Sequence, residues 1–337
     1  MCPLIIFNVQ LIWRYLYSTK SAADHGSLYQ LRNTIGRSSV VTVPLDDFNA
    51  CDDFFTLIVT THILSAAMTL LKMSTLEDLP KHPKITDGID TWMQSASERE
   101  AILECVCSDI IDRFTTIEYN KAYESPDDNV FAYAKQMLSQ GCIYFEYSDA
   151  IREGDGKRVK RSLKYLLPMF IAAGRKNYAI EFFHTIAQHE FIFSPRLAEE
   201  LLWTRFINVH GTPGHNIPKD LHMEHLNRLV KESIRSLQAN KTKKSIARVG
   251  RALGTLDPVL ANFDKNNDVS SHSGMHREAS MKKDRDMLLN ELLKDQVFQQ
   301  HGDRAHAEFP KPKDVLHQLT KDKFKKWIYD HLRTYKL

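Results

Sequence analysis

The segment Asp220-Leu-His-Met-Glu-His-Leu-Asn-Arg-Leu-Val-Lys231 gathers two carboxylates and two imidazoles in its first six residues. With His210 and His215 just upstream, four of the fifteen histidines fall within sixteen residues. Carboxylates suit a hard divalent ion and imidazoles suit zinc, so Asp220 and Glu224 are candidate metal ligands for Mg²⁺ or Mn²⁺ and candidate catalytic groups. The histidine spacing fits no standard zinc framework, and a carboxylate-held ion here needs at least one further acid from elsewhere in the chain. The same residues have a plainer use: Asp220 as a helix N-cap, Glu224 paired with Arg228 one turn on, and the histidines packed against neighbours.

A helix has to position these groups. Met223, Leu226, Val230, Ile234 and Leu237 recur at helical spacing and form an apolar stripe, while Asp220, Glu224, Asn227 and Lys231 fall on an adjacent polar one. The Gly- and Pro-marked loop Gly211-Thr-Pro-Gly-His-Asn-Ile-Pro218 leads into it.

Two basic stripes carry a second kind of chemistry. Lys157, Lys160, Arg161 and Lys164 share one helix face, and Lys241, Lys244, Arg248 and Arg251 share another. Either could lie along a phosphate backbone, with affinity falling as salt rises. In sequence, neither carries the interleaved aromatic residues of single-strand binding, nor a helix-turn-helix pattern, and a solvated basic face is the alternative. From Lys219 onward there are 24 Lys and Arg against 16 Asp and Glu, while residues 1–218 hold 21 against 26. An anionic partner such as DNA therefore suits the C-terminal third, and a protein partner for a helical scaffold is the other reading.

The elements are overwhelmingly helical. Ser27 caps a helix toward Arg37, Val40-Val-Thr-Val-Pro44 reads as a short strand, and Phe54 to Met73 is apolar on nearly every face. Ser97-Glu-Arg-Glu100 has capping-box spacing, and Ser125-Pro opens a helix that runs to Arg152. Gly154-Asp-Gly156 breaks it, and helices follow over 157–173, 178–190, from Ser194-Pro195 through Trp203, and near 220–238, 241–263, 281–297 and 313–335. The interval 266–279 is polar enough for a loop, and no repeat of 20–50 residues is visible. The expected fold class is mainly α, an irregular multi-helix bundle.

Composition agrees with a folded chain. The 337 residues exceed the prior of about 150 per domain, and 43% hydrophobic content with 13 Gly and 12 Pro is a globular composition. Five cysteines without Cys-x-x-Cys spacing predict a reducing compartment, nucleus or cytoplasm. Asn8, Gln10 and Arg14 interrupt the apolar opening, so neither a signal peptide nor a membrane span is expected. The chain opens directly into core-like residues, as expected where further sequence lies upstream.

The run from Trp203 to Lys231 resembles the hallmark of the family catalogued as domain of unknown function 6589. Tyr15-Leu-Tyr-Ser-Thr, Gly26-Ser-Leu-Tyr-Gln-Leu, Asp149-Ala-Ile-Arg-Glu-Gly-Asp-Gly156 and Asn177-Tyr-Ala-Ile-Glu181 stand in that family's order. The resemblance implies a transposon-derived protein, with a distant likeness to P-element-like transposases. In these an RNase H-like core presents its last catalytic glutamate after a long helical insertion. On that pattern residues 1–45 are a remnant of the core, 46–205 the helical domain, and 206–337 a C-terminal helical region with a basic surface. Glu224 is then the returning ligand of a site for phosphodiester chemistry at divalent ions. The pattern also asks for two earlier acids on strands, and residues 1–45 offer only Asp24. The resemblance thus implies the helical insertion and C-terminal part of a truncated core, a fragment or derivative without a complete active site.

Overall fold

The computed structural model describes residues 3–81, 95–115, 128–209, 211–267, 281–311 and 315–333. Among them are twelve α-helices: α1 (Pro3–Leu16), α2 (Leu28–Thr34), α3 (Phe48–Leu70), α4 (Ala96–Ile110), α5 (Asn129–Glu153), α6 (Gly156–Ala172), α7 (Lys176–Ala187), α8 (Pro195–Trp203), α9 (Lys219–Ser236), α10 (Lys243–Asn266), α11 (Met281–Lys294) and α12 (Lys321–Leu332). One antiparallel ribbon joins β1 (Phe206–Ile207) to β2 (Ile217–Pro218). The mainly α class holds, and the described residues contain no larger sheet.

Two apolar cores organise the chain, and α1 and α5 serve both. The first gathers Ile12, Leu16, Leu28, Leu31, Phe54, Phe55, Ile58, Tyr133 and Met137 with Leu288, Leu292 and Phe298. The second sets Leu11 and Ile151 against Leu163, Leu166, Phe170, Phe182 and Val315, with Trp327 and Ile328 of α12 laid over it. α3 is apolar on almost every side because α4, α5 and α11 cover it. By length and composition alone it is apolar enough to cross a bilayer. Gly141 lets α5 approach α3 closely, since a Cβ there would sit 2.5 Å from a methyl of Val59.

Residues 281–333 complete cores begun by α1 to α7. Three buried contacts fix that return. Asp24 accepts from the N–H groups of Ala307 and Glu308 at 2.8 and 3.0 Å. Asp128 accepts from the His301 N–H and from the Arg304 guanidinium. The Tyr133 ring meets His306 edge-on and Phe309 at a tilt, and its hydroxyl donates to the Leu16 carbonyl and accepts from the Leu28 N–H.

Local signals set most helix ends. Ser27 accepts from Gln30 N–H, Ser194 from Leu197 N–H, and Asp155 from the N–H groups of Lys157 and Arg158. Gly154 supplies the left-handed residue that ends α5. Three expectations shift, and one falls outside the described residues. Residues 40–44 form no strand, because the carbonyls of Val40 and Val41 are taken by Arg32 Nε and Trp13 Nε1 instead of a partner strand. The α4 cap is Ser95, bonded to the Glu98 N–H and carboxylate, two residues before the Ser97 box. α5 is capped by Asp128, and the expected start at Ser125 lies outside the described residues, as does most of the 266–279 loop. The C-terminal helix begins at Lys321 behind a short 3₁₀ turn over Val315–Gln318.

Candidate nucleic-acid interface

The β1–β2 ribbon and its loop form the base of α9. Asn208 closes the loop by accepting from the Gly211 N–H and donating to the Thr212 carbonyl, both at 2.7 Å. Gly211 and Gly214 adopt φ of 68° and 73°, which a side chain would resist. Asn216 then ties the loop to the end of α5, with its backbone N–H and side-chain amide both donating to the Arg152 carbonyl. The two glycines of 154–156 have matching duties. Gly154 packs on Asn216, and a Cβ on Gly156 would lie 2.2 Å from the Leu202 carbonyl oxygen. Two motifs far apart in sequence, 149–156 and 211–218, therefore meet in one joint.

From that joint α9 and α10 project as a helical arm. α10 packs chiefly on α9, and α9 is anchored near its start by the ribbon and the buried Leu221. Pro218 occupies the N-cap position where Asp220 was expected; the Asp220 carboxylate instead accepts from the N–H of its neighbour Leu221. Glu224 is exposed, and Arg228 pairs with Glu232 at 2.9 Å, so the expected Glu224 to Arg228 pair is replaced by the next one along. Glu224, Asn227, Arg228, Lys231, Glu232 and Arg235 line one open groove along α9. His215 and His225 are exposed, His222 is half-buried, and His210 lies outside the described residues. No group of three or more His, Cys, Asp or Glu side chains among the described residues could hold a metal ion.

The two basic stripes have different fates. In the first, Lys157 pairs with Glu199 at 2.9 Å, and Lys160 and Lys164 share Glu190 at 3.4 and 3.2 Å. These pairings hold the Lys157 ammonium above its ordinary pKa and the Glu199 and Glu190 carboxyls below theirs. Arg161 stays exposed, with no ion pair to a described residue. In the second stripe, Lys241, Lys244, Arg248 and Arg251 are all exposed and make no ion pair with a described residue.

The second stripe belongs to a larger feature that the stripe spacing alone missed. Residues 233–256 contain six Lys and Arg, the four above with Arg235 and Lys243, and no Asp or Glu. The fold wraps this stretch around the free end of the arm, across the end of α9 and the start of α10. Thr242 caps α10 by accepting from the Ser245 N–H, so Lys241, Lys243 and Lys244 crowd the positive end of the helix dipole. The signal was present as a run free of carboxylates; the turn that concentrates it was not.

A family model described as a family of unknown function (DUF6589) matches residues 6–276. No curated protein and no solved structure matches the chain.

Proposed function

The chain belongs to the DUF6589 family, and we propose that in this member the α9–α10 arm binds the phosphate backbone of DNA. The observation that carries the reading is the arm tip, where the run 233–256 brings six cations and no carboxylate of its own and where Lys241, Lys244, Arg248 and Arg251 are exposed and unpaired among the described residues. Cations at a helix N-terminus oppose the dipole and cost stability, so an anion bound there relieves both charges at once. Such contacts track the backbone and carry no base readout, so sequence preference is weak. The derivation from a transposon-encoded protein implied by the resemblance fits an arm of this kind. Glu224, exposed among Arg228 and Lys231, then belongs to the arm's polar face.

The test is binding of a labelled DNA duplex at low salt. The Lys241→Gln, Lys244→Gln, Arg248→Gln, Arg251→Gln variant should bind at least tenfold more weakly, whereas Lys157→Gln, Lys160→Gln, Lys164→Gln should bind nearly as the parent does. Equal binding by parent and arm variant would end the proposal. Cleavage of the duplex in Mn²⁺ that vanishes in Glu224→Gln would replace it with phosphodiester chemistry at Asp220 and Glu224.

A further inference from the structure

A second surface, separate from the arm, lies where α6 meets the π-helical turn Gln188–Ile192 and α8. Four large apolar side chains stand open there: Phe191 (68% exposed), Tyr165 (59%), Trp203 (52%) and Ile192 (47%). Three ion-pair contacts tie the pieces into one face. Glu199 Oε1 accepts from both Lys157 Nζ and Trp203 Nε1, at 2.9 and 3.2 Å, and Glu190 joins the turn to Lys160 and Lys164. A patch of exposed apolar side chains rimmed by charge marks an interaction site, and Trp, Tyr and Phe are the usual anchors of protein partners.

The charges select the occupant. Lys157 and Arg196 are each matched by a carboxylate, Glu199 and Glu200, but two lysines share Glu190 and Arg161 has no described partner. The rim therefore carries an excess of positive charge, which disfavours a second copy of the same face. The aliphatic Ile192 beside Phe191 offers no stacking surface for bases and suits the apolar side chains of a protein partner. We propose that this face seats an acidic amphipathic helix of a partner protein, with apolar anchors on Phe191 and Trp203 and carboxylates toward Arg161 and the Lys160–Lys164 pair. The arm takes no part, so the inference stands apart from the DNA reading.

The probe is a synthetic helical peptide with Leu at helical spacing and Glu on its other face, titrated into the full chain. Saturable binding is expected, with slowed amide exchange over 188–203. Phe191→Ser with Trp203→Ser should weaken it at least tenfold, Arg161→Glu severalfold, and the arm variant not at all. All these side chains are exposed, and unchanged far-UV circular dichroism checks that the variants fold. Failure of the peptide to bind, equal binding of a scrambled peptide, unchanged affinity in the Phe191 and Trp203 variant, or protection of 188–203 only by an oligothymidine strand would each overturn the proposal.

Discussion

Asn216 gives two hydrogen bonds to one acceptor, the Arg152 carbonyl, from its backbone N–H at 3.1 Å and its side-chain amide at 2.8 Å. That carbonyl lies in the last turn of α5, so the bonds join the end of a core helix to the base of the arm. Asn216→Ala keeps the backbone bond and loses the other, for an expected cost of about 1 kcal/mol. Urea unfolding would measure it, and faster amide exchange through 211–221 would localise it.

Two glycines should respond in opposite directions. Gly156→Ala drives a Cβ against the Leu202 backbone carbonyl, and overpacking of that kind costs on the order of 1–3 kcal/mol. Gly250, inside α10, has only open space within 4 Å of the point a Cβ would occupy, so Gly250→Ala should stabilise the helix by about 1 kcal/mol. Thermal unfolding of the two variants checks the sign of each.

Arg304 should be the most sensitive position beyond residue 276, where the family match ends. Its guanidinium meets the buried Asp128 carboxylate and donates to the carbonyls of Asp295, Gln296 and Gln299. Burial alone would raise the Asp128 pKa, but Arg304 and the N–H groups of His301 and Phe131 hold it below the ordinary value. Arg304→Met leaves that carboxylate buried and unpaired, with an expected loss of about 3–5 kcal/mol. A midpoint unchanged in denaturant would show that the C-terminal return is not part of the folding unit.

How far these features can be read from sequence depends on how local their chemistry is. Ser27, Ser194-Pro195 and Gly154-Asp-Gly156 act within a few residues, and the helices they bound fall where the spacing puts them. Ser95 and Ser97 each have a Glu three residues on, and the pattern cannot choose between them; the structure takes the earlier cap, which lengthens the helix. Val40 to Pro44 has strand-like residues, but Trp13 and Arg32 capture its carbonyls from other elements. The site divides in the same way. Helical spacing found both basic stripes, while Glu190 and Glu199, which pair with three of the four cations of the first, come from later elements that only the fold brings alongside.

His62 predicts an acid limb in the stability curve. Its ring is fully buried in α3, with Nδ1 on the Ile58 carbonyl and Nε2 without a partner. Burial pushes its pKa down to about 4, against the weaker upward pull of the Ile58 carbonyl. The unfolded chain, with an ordinary histidine near 6.5, then binds the proton more readily. Stability from the neutral ring is complete above about pH 6.5 and falls as pH drops toward 4, by on the order of 3 kcal/mol. His62→Leu should flatten that part of the curve, measured by urea unfolding at about pH 7 and about pH 4.5. His189 and His306, also lowered mainly by burial, would leave a smaller residual slope.

The salt dependence of DNA binding tests the arm most directly. Each phosphate contact contributes a slope of roughly 0.9 in log affinity against log salt. If Lys241, Lys244, Arg248 and Arg251 all touch phosphates, replacing them with Gln should make the slope shallower by about 3 to 4. That flattening should accompany the loss of affinity. An arm variant that keeps the parent's slope would rule out phosphate contact by the arm and place any DNA contact elsewhere on the protein.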